Sequence, residues 1–115
     1  CGVRPFAGIL AYAVSKAAAD QMTKCLALEL APYGVRVNCL SPGVVESNLH
    51  IDGGLSKEEY AGFLERAKIT HPLARPGQPE EIADAIVFLV SERSAWTTGV
   101  SFAVDGGRGL TYARA

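Results

Sequence analysis

Apolar and polar positions along this chain fall into three helical patterns and two short extended ones. From Tyr12 to Leu30 there is neither Gly nor Pro, and the stretch is rich in the helix formers Ala, Leu and Lys. Apolar side chains at Ala18, Met22, Cys25, Leu26 and Leu30 recur at the helical period, leaving Lys16, Asp20, Lys24 and Ala27 on other faces. Pro32 and Gly34 stop the helix. Val35 to Leu40 is β-branched at its start and flanked by Gly34 and Pro42, which predicts a strand. Ser41-Pro42-Gly43 ends it, and residues 44–55 read as a loop with a Gly53-Gly54 pair.

The next helix has a marked start. Ser56 and Glu59 are spaced as a capping box, and Leu55 and Tyr60 as a hydrophobic staple. Its apolar face is Tyr60, Phe63, Leu64 and Ala67, with the helix running to about Lys68. Pro79 suits a first helical position, and Glu80 and Glu81 favour the positive end of the dipole of a third helix. Ile82, Ile86, Leu89 and Val90 form its apolar stripe. Val100 to Val104 reads as a second strand, closed by the turn signal Asp105-Gly106-Gly107. Helices alternating with short apolar strands predict an α/β protein with a parallel sheet and right-handed crossovers.

Composition narrows the function. The chain has 115 residues, 49% of them hydrophobic, and 11 basic against 12 acidic side chains for a net charge of −1. That excludes disorder and argues against electrostatic binding of nucleic acid or a membrane surface. No apolar run approaches the roughly 18–20 residues of a membrane span. Cys1, Cys25 and Cys39 are irregularly spaced, and His50 and His71 have no H-x-x-x-H partner, so no metal site is expected. The thiols are expected to be buried, in a reducing cytosol. The chain opens with Cys1 and its only Met is Met22. Two strands are also few for a parallel sheet, so the expectation is a piece of a longer domain.

One pair carries chemistry. In Tyr12-Ala13-Val14-Ser15-Lys16 the phenol and the ammonium lie one turn apart on one helix face. A free phenol titrates near 10, and a neighbouring cation favours its phenolate, bringing it within reach of proton exchange with an alcohol or ketone. Alone, such a spacing is weak evidence, since a Tyr and a Lys four apart on a helix are usually a surface pair.

The remaining motifs give it context: Tyr12 to Ala18 as YAVSKAA, Leu28 to Asn38 as LELAPYGVRVN, and Ser41-Pro42-Gly43. Pro72 to Ala83 follows as PLARPGQPEEIA, then Thr98-Gly99 and Val104-Asp105-Gly106-Gly107. Together they resemble the short-chain dehydrogenase/reductase family, and within it the subgroup with 3-oxoacyl-(acyl-carrier-protein) reductases and sugar dehydrogenases. The resemblance implies a Rossmann-like, doubly wound parallel sheet with helices on both faces, of which residues 1–115 are the C-terminal portion. It implies an NAD- or NADP-dependent oxidoreductase acting on a small carbonyl or alcohol.

Residue by residue, the resemblance makes Tyr12 the general acid/base, and Lys16 the group that aids it and holds the nicotinamide ribose. Pro42 and Gly43 would line the nicotinamide pocket, Val45 would offer backbone contacts to the carboxamide, and Ser47 stands where relatives often carry Thr. The Ser56 helix would be a mobile lid. A cytoplasmic homo-oligomer, dimer or tetramer, is implied through the stretch 79–104. The family's catalytic serine, about thirteen residues before the tyrosine, would fall before Cys1. Its Gly-rich phosphate turn and active-site Asn have no counterpart here, so the fragment alone is expected to be inactive. The rival expectation is a non-catalytic truncated product acting as an interaction module.

Overall fold

Why these stretches fold as they do is visible in the computed structural model, which describes residues 1–4 and 7–111. The elements are α1 (Leu10–Leu30), β1 (Cys39–Pro42), α2 (Leu49–Asp52), α3 (Lys57–Thr70), α4 (Pro79–Val90) and β2 (Ser101–Val104). Single 3₁₀ turns lie at Ala31–Tyr33, Glu92–Ser94 and Arg108–Leu110. The strands form a two-stranded sheet. Cys39 N–H donates to Val100 O at 2.9 Å and Gly43 N–H to Val104 O at 3.0 Å. The offset stays constant along both strands, as parallel pairing requires. The fold is α/β, as the alternation of elements predicts.

The chain divides into two compact units, Cys1–Leu40 with Val87–Phe102, and Ser41–Ile86 with the chain from Ala103 onward. In the first unit the buried line of α1 is Thr23 and Ala27, 8% and 4% exposed. This corrects the predicted face. Leu26 and Leu30 are half-buried, but Ala18, Met22 and Cys25 are exposed. The reason is size. Gly99, at φ +73°, comes so close that a Cβ placed on it would lie 3.4 Å from the Ala27 Cβ. Thr23 tolerates burial because its hydroxyl donates to Ala19 O at 2.9 Å. Cys25 and Cys1 are exposed and Cys39 half-buried, so the thiols are not core groups.

The first strand begins later than its β-branched residues suggest. Residues 35–38 are bonded largely through side chains. Val37 N–H donates to Thr98 Oγ1, and the Asn38 amide donates to Thr97 O while accepting from Val100 N–H. Arg36 ties the same segment to the end of α4. Its Nη1 donates to Leu89 O at 2.8 Å and Ser94 Oγ at 2.9 Å, with Thr97 O at 3.3 Å, and Nη2 donates to Ser91 O. The guanidinium thus shares, with Ser94 and the Asn38 amide, the Leu89 carbonyl in the last turn of α4 and the Ser91 and Thr97 carbonyls beyond it.

The second unit is built around α3. Ser56 Oγ accepts from Glu59 N–H at 3.1 Å and Glu59 Oε2 from Ser56 N–H at 2.8 Å, so the capping box is formed. That amide donation holds the Glu59 carboxyl below its ordinary range. Ala67, 1% exposed, is the centre of the apolar face, flanked by half-buried Tyr60, Phe63 and Leu64. The predicted loop 44–55 contains α2 and an isolated parallel bridge between Val45 and Gly77. On α4, Leu89 is buried while Ile86 and Val90 are 48% and 74% exposed. Two four-residue strands offer little surface to cover such a stripe.

Candidate functional site

Tyr12 is the third residue of α1, whose first turn carries no side-chain cap. Four residues on, Lys16 returns to the same face, and its Nζ lies 5.2 Å from the centroid of the Tyr12 ring. The phenol is half exposed, and Lys16 makes no ion pair among the described residues. Ser15 donates to Tyr12 O at 2.7 Å, which directs that hydroxyl to the backbone. Gly2 crosses the helix beside Lys16. A Cβ there would lie 2.8 Å from Lys16 C and Ala17 N, so only glycine fits this close approach.

In the second unit Pro42 closes β1, and the chain then runs through Gly43, Val44 and Val45. Gly43 is held by its neighbours. A Cβ on it would meet Asp105 Cα, Asp105 O and His71 Nε2, each at 2.9 Å. Val44 N–H donates to His71 Nε2 at 3.1 Å, and Val44 O accepts from Gly77 N–H at 2.8 Å. Glu46 N–H then donates to Gly77 O at 3.0 Å. In such a parallel bridge the N–H and C=O of Val45 itself point to the opposite side. Ser47 is exposed, its N–H donating to Tyr60 Oη at 2.9 Å.

A recess of about 100 Å³ adjoins this segment, lined among others by Gly43, Val44, Ile82 and Val104. At its rim Arg75 and Glu81 form a two-pronged ion pair, and Glu81 also accepts from Gln78 N–H. The Arg75 hydrogen bond, then the Gln78 amide, bring the Glu81 carboxyl down to about 2. Asp105, which also lines the recess, accepts from Gly107 N–H and Gly109 N–H, so the Asp-Gly-Gly turn is structural, as its composition suggests.

The structure thus brings Tyr12 and Lys16 together on one helix face, and sets Pro42, Gly43, Val45 and Ser47 along one short segment. Sequence reasoning missed His71, Tyr60 and Gly2 as parts of these arrangements. His71 was legible in one respect: it continues the spacing Tyr60, Leu64, Ala67 by four. Trp96 is fully exposed. Among the described residues no group of His, Cys, Asp and Glu could hold a metal, and no helix is long and apolar enough to cross a membrane.

The family described as enoyl-(acyl carrier protein) reductase matches residues 1–108. The chain is 42% identical over 110 residues to 2,3-dihydro-2,3-dihydroxybenzoate dehydrogenase of Bacillus subtilis, covering 92% of this chain and 42% of the relative. It is 42% identical over 103 residues to L-fucose dehydrogenase of Bos taurus, covering 90% and 38%. A crystal structure of a short-chain dehydrogenase/reductase of unknown function from Caenorhabditis elegans, with cofactor, superposes with a TM-score of 0.88 at 33% identity. That match covers 96% of this chain and 42% of the other. The chain spans about two fifths of the length of the curated relatives it matches.

Proposed function

This chain belongs to the short-chain dehydrogenase/reductase family, and we propose that the protein carrying it transfers hydride between NAD or NADP and a small carbonyl or alcohol compound. The observation that carries this reading is the Tyr12–Lys16 pair, an accessible phenol with an ammonium 5.2 Å from its ring. In the direction of reduction, the hydride adds to the carbonyl carbon and the Tyr12 hydroxyl gives its proton to the oxygen. In oxidation Tyr12 takes that proton back. Lys16 stabilises the phenolate by its charge, and its remaining N–H groups hold the ribose hydroxyls.

Within each unit taken by itself, the residues present suit a nicotinamide cofactor. Lys16 has donors not committed to a carboxylate among the described residues, and the peptide groups of Val45 face away from Gly77. The nicotinamide supplies or accepts the hydride. Pro42 and Gly43 line its pocket, Val45 offers its N–H and C=O to the carboxamide, and the Ser47 hydroxyl adds a further hydrogen bond. Helix α3 acts as the lid over substrate. Two relatives are named for 2,3-dihydro-2,3-dihydroxybenzoate and L-fucose, so the substrate class here is a small hydroxyl- or carbonyl-bearing compound.

Residues 1–115 are, on this reading, the C-terminal portion of one Rossmann-like domain of a cytoplasmic homo-oligomeric enzyme. Alone they neither bind nor turn over the cofactor, and stoichiometric binding by calorimetry would contradict that. In the full-length protein, Tyr12→Phe should lower kcat by at least about 10²-fold, the contribution of a general acid. Cofactor affinity should stay near that of the parent. Nicotinamide absorbance followed across a panel of ketones and alcohols checks both, and a near-normal kcat rejects the assignment.

A further inference from the structure

We infer that His71 is a positioning residue for the nicotinamide segment, holding the Val44 amide so that Val45 presents its peptide groups to the cofactor. The inference rests on the function proposed above. His71 caps the C-terminal end of α3, and is 3% exposed. Its Nε2 lies 3.1 Å from Val44 N. An amide N–H can only donate, so Nε2 carries the lone pair and the ring hydrogen sits on Nδ1. Nδ1 lies 3.0 Å from Ala67 O, an acceptor that satisfies this tautomer, with Thr70 Oγ1 at 3.1 Å. A neutral imidazole thus bridges the last turn of α3 to the segment after β1.

The bridge has little freedom. A Cβ on Gly43 would lie 2.9 Å from Nε2, so ring and backbone are already in contact. The turn that follows is fixed by Leu73 N–H to Gly106 O and Ala74 N–H to His71 O. Ala74 sits at φ +57°, a left-handed conformation that persists where its surroundings determine it. Residue 44 is therefore gripped twice, at its N–H by His71 and at its C=O by Gly77 N–H. That grip sets the direction in which the next peptide groups, those of Val45, project.

The test compares two variants of the full-length protein. In His71→Gln an amide oxygen can reach the Nε2 position and accept from Val44 N–H, whereas His71→Leu fills volume without an acceptor. His71→Leu should raise the cofactor KM about tenfold, the equivalent of one hydrogen bond, with kcat changed far less. His71→Gln should stay within about threefold of the parent. A role confined to stability lowers the unfolding midpoint without separating KM from kcat or distinguishing the two variants, and that result overturns the inference. Long-range ring ¹H–¹⁵N spectra of the unsubstituted protein need no variant to fold: an Nδ1–H tautomer supports the bridge and an Nε2–H tautomer overturns it. If the unsubstituted protein binds neither NADH nor NADPH, the proposed function itself falls, an outcome distinct from failure of the His71 comparison.

Discussion

Arg75 and Glu81 meet fork to fork, Nη1 donating to Oε2 at 2.8 Å and Nη2 to Oε1 at 2.6 Å. Together with the Gln78 amide, this brings the Glu81 carboxyl from an ordinary 4.5 to about 2. A carboxylate depressed in the folded state stabilises above its unfolded value, and the contribution is lost as pH falls through the folded one. Both side chains are exposed, so the effect at neutral pH is small. Glu81→Gln should lower the unfolding midpoint by a constant amount above about pH 5. The difference from the parent should shrink as pH falls from 4.5 towards 2. Thermal unfolding at stepped pH reads it, and a pH-independent difference would contradict the ion pair.

Arg36 satisfies carbonyls at Leu89, Ser91 and Thr97. An ammonium has neither the fork nor the reach to replace that set. Arg36→Lys should therefore cost about 2 kcal/mol of stability, in the range for charge-assisted hydrogen bonds. Urea unfolding of the full-length protein measures it, and a change within error would mean that the other donors to these carbonyls, Ser94 and the Asn38 amide, suffice.

Two glycines should respond with opposite signs. Gly107 has φ +82° and faces the Pro72 ring, whose Cγ would lie 2.8 Å from an added Cβ. Gly107→Ala should cost about 3 kcal/mol, combining overpacking with a left-handed L-residue. Gly62 lies inside α3 with open space around it, so Gly62→Ala should stabilise by about 0.5–1 kcal/mol. Denaturant midpoints of the two variants provide the comparison.

Tyr60→Phe deletes the acceptor for Ser47 N–H. Ser47 is exposed, so water replaces the bond and the stability loss should be about 1 kcal/mol or less. If Ser47 contacts the cofactor as proposed, the cofactor KM should rise by about threefold, one weakened hydrogen bond's effect. An unchanged KM would separate Ser47 from cofactor binding.

Local rules carried much of the fold. The Ser56–Glu59 box, Pro79 at the head of α4 and the Asp105 turn each depend on residues within four positions, and each formed as its chemistry predicts. What local rules missed depends on distant partners. Ala27 is buried because Gly99 lets a backbone come close, and the first strand starts late because the Asn38 amide engages Thr97 and Val100. His71 looked like a histidine without a ligand set; its role lies in one ring tautomer and an amide 27 residues earlier. The Tyr12–Lys16 spacing was legible from helical periodicity alone, whereas the segment from Pro42 to Ser47 drew meaning from resemblance.

The constant register between the strands also governs how quickly the sheet can assemble. Cys39 pairs with Val100 across 61 positions, and closing a flexible loop of that size costs about 4 kcal/mol of chain entropy. Contacts within α1 form between near neighbours and pay no such toll. Helix formation should therefore run ahead, and the parallel pairing should await the collapse of α3 and α4 between the strands. In refolding kinetics the strand amides would gain protection last, the signature of a high-contact-order closure.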